Sequence, residues 1–222
     1  MTAVVLAWAL VFFGLLPLPQ AAGGNGDAAT LTAASANVAE PGSPVRIRIF
    51  RWSTDEERNP FLTALNPPAR GAGPGAGERG GAARGGRAPA RGRARGPAAP
   101  LTPAAALAAT AGRSPTIGYL WTNDITGYSI KYAYRASQPD GGERIVLLTD
   151  RRLGAHSAGW KPAAAGAETD YEFTLVEIRL DAKGSGEGKT SLMARVVADT
   201  EAKTVALENY AATAAILQNV KR

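Results

Sequence analysis

The chain predicts a mainly β fold, an antiparallel meander of seven or eight strands closed as a barrel or stacked as a sandwich, with two short helices near its N-terminal side. Three observations predict it. From Ile117 onward, short runs rich in β-branched and aromatic residues recur, several of them alternating apolar and polar. Turn chemistry separates them, as at Asn123-Asp124 and Pro139-Asp140-Gly141-Gly142. The connections are too short for the helical crossovers that a parallel sheet requires.

Residues 1–22 read as a signal peptide. Positions 3–16 are continuously apolar or small, too short a run to span a bilayer but suited to the apolar core of an export signal. Pro17, Pro19 and the small residues Ala21, Ala22 and Gly23 follow it. No Lys or Arg precedes the run, so either the terminal amine supplies the positive charge or translation starts upstream. The expected location is periplasmic or extracellular, a secreted chain with no transmembrane segment once mature. Residues 23–44, rich in Ala, Gly, Ser and Thr, read as a flexible leader, and residues 45–222 as one β-rich domain.

The domain opens on a strand in which Val45, Ile47 and Ile49 alternate with Arg46 and Arg48, as a half-buried strand does. Ser53-Thr54-Asp55-Glu56 then forms a capping-box pattern that starts a helix, which Pro60 is expected to break or kink. Thr102-Pro103 starts a second helix, closed by Gly112. Strands are expected at residues 117–122, 125–136 and 144–150. The middle one places Tyr128, Ile130, Tyr132 and Tyr134 on one face. The last carries Ile145, Val146, Leu147 and Leu148, apolar on both faces like a central strand. Residues 171–181 change apolar phase near Leu175, which predicts a bulge there. After turn residues 181–188, further strands are expected at 191–198, 204–207 and 214–220.

Between the helices lies a low-complexity insert, residues 67–100, containing ten Gly, ten Ala, six Pro, seven Arg and one Glu. Its surplus of six positive charges equals the formal net charge of the 222-residue chain, +6, so the rest of the protein is neutral. The high sequence pI of about 9.8 therefore describes this insert, not a basic globular surface. No aromatic interleaves its arginines, so base stacking is missing and no specific nucleic-acid partner is expected. Its composition cannot build a core and predicts a disordered region.

Composition also excludes most enzyme chemistries. The chain has no Cys and a single His, His156, which removes thiolate nucleophiles, cysteine-ligated metals and triads built on a well-placed imidazole. No cofactor and no metal are expected. The run Gly184-Ser185-Gly186-Glu187-Gly188-Lys189-Thr190 ends like a phosphate-binding loop. The position five residues before Gly188 is Lys183 where glycine is needed, and the run joins two strands, so it reads as a hairpin loop. Two sets of residues remain. Tyr119, Trp121, Tyr128, Tyr132 and Tyr134 could line an aromatic ligand groove. Asp150, Glu177, Asp181 and Glu208 lie in or beside strands, where paired carboxylates can hydrolyse glycosidic bonds. The expected function is a non-catalytic module of the cell envelope that binds a small molecule or an envelope protein; the alternative is a carboxylate-dependent hydrolase acting on envelope polysaccharide.

Arg51-Trp52-Ser53-Thr54-Asp55-Glu56-Glu57-Arg58, Pro115-Thr116-Ile117-Gly118-Tyr119 and Pro139-Asp140-Gly141-Gly142-Glu143-Arg144-Ile145-Val146 resemble an uncharacterised family of exported bacterial proteins. So do Phe173-Thr174-Leu175-Val176-Glu177-Ile178-Arg179-Leu180-Asp181, Gly186-Glu187-Gly188-Lys189 and Leu207-Glu208-Asn209-Tyr210. The resemblance covers residues 45–66 and 101–222 and implies export, but no assigned activity and hence no functional residue. The chain departs from the pattern in its insert and in Pro60. Trypsin is accordingly expected to cut between Arg70 and Arg95 before it cuts elsewhere, and deletion of residues 67–100 to leave the melting temperature nearly unchanged. A large loss of stability on deletion would show that the insert is structural.

Overall fold

The computed structural model describes residues 27–66, 101–163 and 171–222. The expected signal peptide and the insert lie outside them.

The protein is mainly β, with ten strands and two α-helices among the described residues. Eight strands form a closed antiparallel barrel in the order β1 (Ala29–Ser35), β10 (Leu217–Lys221), β7 (Ser185–Thr190), β6 (Leu175–Leu180), β5 (Glu143–Thr149), β4 (Tyr128–Ser137), β3 (Gly118–Trp121) and β2 (Pro44–Ile49). The other two, β8 (Val196–Asp199) and β9 (Thr204–Leu207), pair only with each other. Inward side chains such as Leu31, Ile47, Leu120, Ile130, Ile145, Ile178 and Val220 fill the interior and are wholly buried. An eight-stranded barrel is just wide enough for its own side chains to fill.

Strand β1 corrects the reading of residues 23–44 as a leader. Its residues are small, and Leu31 is its only large apolar side chain, yet its backbone pairs with β2 from Ala29↔Ile49 to Ala34↔Pro44 and with β10 on the other side. Two unfilled edges recruit a strand by main-chain hydrogen bonds, which composition does not reveal. On β2 the expected alternation holds: Val45, Ile47 and Ile49 are buried, while Arg46 and Arg48 are exposed.

Helix α1 (Asp55–Leu65) begins one residue later than the sequence pattern suggests. Thr54 Oγ1 accepts from the Glu57 N–H at 3.3 Å, and the Glu57 carboxylate accepts from the Thr54 N–H at 3.0 Å. Arg51 holds that carboxylate through two 2.7 Å hydrogen bonds, and the contact lowers the Glu57 pKa. Pro60 neither breaks nor ends the helix. The carbonyl it deprives of a partner belongs to Glu56, and both residues lie on the exposed side. Helix α2 (Pro103–Arg113) has the expected Thr102 cap and Pro103 start, but runs past Gly112 to Arg113. The two helices pack on each other and, with the β8–β9 hairpin, over the outside of β4, β5 and β6.

This second layer accounts for the remaining differences. β5 is buried on both faces as expected, with Ile145 and Leu147 in the barrel and Val146 and Leu148 under the outer layer. The apolar phase change at Leu175 has the same cause. Leu175 faces the outer layer, Val176 and Ile178 the interior, and the pairing of β6 keeps its register throughout, so no bulge is needed. The turn after β6 is shorter than residues 181–188. Asp181 Oδ1 accepts from the Lys183 and Ser185 N–H groups, and the glycine-rich run continues as β7. Glycine is required inside this strand because a Cβ at Gly186 would stand 1.9 Å from the Arg179 carbonyl oxygen. Residues 191–194 then form turns instead of a strand, and β8 starts only at Val196.

Leu31→Ala is expected to destabilise the protein by about 2–5 kcal/mol, the range for a large-to-small change in a packed core. Thr32→Ala, at the neighbouring outward position, should change stability by less than about 0.5 kcal/mol. Chemical denaturation of both variants checks this, and equal small effects would mean that β1 does not close the barrel.

Candidate functional site

The five aromatic residues expected to share a ligand groove fall in three places. A bulge in β4 separates them: Ile130 pairs with Thr149, and Tyr132 with Leu148. The extra residue, Lys131, turns the following side chains to the opposite face. Tyr128 and Ile130 therefore point into the barrel, while Tyr132 points out under the helices.

Tyr128 closes one end of the barrel. Its hydroxyl donates to the Asp124 carboxylate and accepts from the Gly154 N–H at 3.0 Å, and Arg151 stands 4.4 Å above its ring. Burial, reinforced by Asp124, pushes the phenol up to about 12. Tyr132 is buried against Phe61, their ring centroids 5.0 Å apart, with its hydroxyl on that of Thr204. Burial pushes this phenol up to about 12 as well. Tyr134 lies under Arg58, 5.0 Å from its ring, and donates to the Ala202 carbonyl at 3.2 Å. Each of these three hydroxyls joins two parts of the fold.

Tyr119 and Trp121 differ. They project outward from β3, on the part of the wall that the helices and β8–β9 leave uncovered. Phe50, Tyr119 and Trp121 form a ridge with centroid separations of 5.9 and 5.5 Å. Phe50 is 41% exposed and was missed in the sequence; it follows β2 directly, outside the alternating pattern that drew attention to that strand. Across the strand pair, Arg46 stands opposite Trp121 and Arg48 opposite Tyr119. Thr32, Pro44, Arg46, Arg48, Trp121 and Thr122 line a groove of about 480 Å³ there, and no Asp or Glu lines it among the described residues. Gly127 packs against the edge of the Trp121 ring: a Cβ at that position would fall 2.7 Å from the indole nitrogen.

The four carboxylates expected to form a hydrolytic pair are dispersed. Asp150, just past the end of β5, accepts from the Ser129 N–H at 3.0 Å. Asp181 caps the turn at the other end of the β5–β6 pair. Seven residues of strand separate these two ends, on the order of 20 Å. Glu208 is exposed, with Arg195 3.9 Å away.

Glu177 alone is fully buried, and it faces outward between β6 and β9. Arg144 Nε lies 2.9 Å from its Oε1 without hydrogen-bond alignment, an ionic contact, while Nη2 donates to Oε2 at 3.3 Å. Arg179 donates to Oε1 at 3.0 and 3.3 Å, and the Leu207 N–H to Oε2 at 3.2 Å. Arg144 continues to Asp199 on β8 at 2.7 Å. Burial opposes ionisation of Asp199, but Arg144 and the Ala202 N–H outweigh it and hold its carboxyl below the usual carboxylate range. Beside this network Tyr210 is stacked by Arg179 at 3.8 Å and by Lys189 at 4.5 Å, and burial raises its phenol. The arrangement pins the β8–β9 hairpin to the barrel wall and leaves Glu177 no free face for a substrate.

No protein family, curated protein or solved structure matches this chain. Among the described residues, no helix is long and apolar enough to cross a membrane.

Glu177→Ala is expected to cost about 3–5 kcal/mol, because it removes one of the two counter-charges of the largely buried Arg144 and the hydrogen-bond acceptor of the Leu207 N–H. Arg144→Met combined with Glu177→Leu should cost much less than the sum of the single changes. Because the Asp199 carboxyl is depressed, its contribution is present above the unfolded value near 4 and is lost as pH falls through the lower folded value. Wild-type and Asp199→Asn stabilities should therefore converge on acidification, and a gap that widens would contradict this assignment.

Proposed function

We propose that the chain is a non-catalytic binding module, exported to the cell envelope, that holds a small ligand or a protein partner against the uncovered wall of β1, β2 and β3. The observation that carries this reading is the asymmetry of the barrel. One half of its outer surface is sealed by α1, α2 and β8–β9, and the interior is filled with side chains. The opposite half presents an aromatic ridge beside a groove lined by two arginines. Exposed aromatic and arginine side chains are the types most often responsible for binding energy at interfaces. Export rests on the apolar run and small residues within positions 1–22.

The alternative, a hydrolase acting on envelope polysaccharide, receives less support. Its carboxylates lie at different ends of the fold, and the one buried member is consumed by arginines.

A photo-crosslinking residue placed at Thr32 or Thr122, on the groove, tests the proposal in envelope extract. It should yield an adduct that is lost when Trp121→Ala is added, whereas the same probe at Glu201, on the β8–β9 turn, should not. Adducts that form equally from both positions, or that ignore Trp121→Ala in a variant of unchanged melting temperature, would count against this wall as the binding surface.

A further inference from the structure

We propose that the groove on β1–β3 takes an extended acidic peptide, with one carboxylate on Arg46 and the neighbouring side chain against Trp121. The inference rests on the binding reading above and names its partner. Arg46 and Arg48 project from the same face of β2, two residues apart, so their attachment points repeat at about 6.6–6.8 Å. Arg48 is already loaded. The Asp27 carboxylate sits on its fork, with Nε to Oδ2 at 2.9 Å and Nη2 to Oδ1 at 3.1 Å. Asp27 belongs to the segment that enters β1, so a backbone running along this wall does deliver a carboxylate to one rung.

Arg46 is the equivalent next rung. It is exposed and has neither a hydrogen bond nor an ion pair among the described residues. Opposite it stands Trp121, whose indole N–H likewise finds no acceptor among them. The groove thus offers a planar bidentate donor and an aromatic side chain, with no carboxylate in its lining to compete among the described residues. Guanidinium forks select carboxylates and phosphates over neutral groups. With Arg48 held by Asp27, Arg46 is left for one carboxylate of an extended peptide, and the Phe50–Tyr119–Trp121 ridge runs beside it to meet the peptide's apolar atoms. A second hydrogen-bonded strand is not invoked, since both edges of β2 are already paired.

The test is fluorescence anisotropy with the full chain at low ionic strength, where surface charge is least screened. The probe is a labelled eight-residue peptide alternating Glu and Thr, compared with its Gln–Thr counterpart and with an oligogalacturonate as an acidic glycan. The Glu peptide is expected to bind, and Arg46→Gln to weaken it about tenfold or more. Arg113→Gln, removing an exposed arginine at the end of α2, should leave it unchanged. Against the Gln peptide, wild type should already be weak and Arg46→Gln should cost nothing further. Equal losses from Arg46→Gln and Arg113→Gln would reduce the effect to non-specific charge and overturn the inference. Binding of the oligogalacturonate without the peptide would overturn it too. If crosslinking from Thr32 still depends on Trp121 while Arg46→Gln affects neither the adduct nor the peptide, the wall is a binding surface and the acidic-peptide inference alone fails. If Trp121→Ala affects neither measurement, both readings fail.

Discussion

The position of β1 between β2 and β10 is the constraint on which the rest of this structure depends. Without it the meander from β2 to β10 would end in two open edges, each exposing unpaired N–H and C=O groups. Closing the sheet satisfies these groups and turns one face of eight strands toward a common interior. The first and last strands of the described chain are thereby hydrogen-bonded to each other, and Leu31, Leu217 and Val220 pack in one cluster. A strand of small residues suffices because its contribution is made mainly by backbone.

Closure also sets the problem that the second layer solves. Strands β4, β5 and β6 carry large apolar side chains on their outer as well as their inner faces, and these must be covered. The bulge at Lys131 directs Tyr132 outward, where Phe61 of α1 packs on it. Leu107 of α2 and Val205 of β9 enter the same cluster. Polar fasteners then orient the layer: Tyr132 on Thr204, Tyr134 on Ala202, and Glu177 on the Leu207 N–H. A buried ion pair is a poor source of net stability, since desolvation offsets most of its attraction. Here Arg144 of β5 and Arg179 of β6 meet at the Glu177 carboxylate, and Arg144 extends to Asp199 of β8, which favours a single seating of the hairpin.

The outer wall that stays bare is the one whose strands alternate apolar with polar, β1 to β3. The same alternation that builds the interior with Val45, Ile47 and Ile49 sends Arg46 and Arg48 to the surface. The β2–β3 register sets each of them opposite an aromatic ring. The groove is thus a by-product of barrel construction on the face that needs no covering layer. Its lining carries arginine, indole and threonine side chains, and no Asp, Glu or His among the described residues.

The sequence by itself determined the class of fold, the alternation of β2, the N-terminal cap of α2 and the turn at Pro139-Asp140-Gly141-Gly142, where Asp140 accepts from the Gly142 N–H. These are local: they depend on side-chain period, capping oxygens and the left-handed conformation of Gly141. It also marked Tyr119, Trp121 and Glu177 as residues to watch, though not which of them stay at the surface. Tertiary structure decided the rest. β1 was hidden because a closing strand is selected by the edges it meets, not by its own hydrophobicity. Tyr128 and Tyr132 were expected together because period two assigns faces only while register is unbroken, and the bulge lies in the pairing with β5. The run of Gly184 to Thr190 looked like a loop because glycine usually signals one, whereas the close Arg179 backbone required it inside a strand. That Glu177 is buried and that Arg46 lacks a partner among the described residues follow from long-range packing, and no window along the chain contains that information.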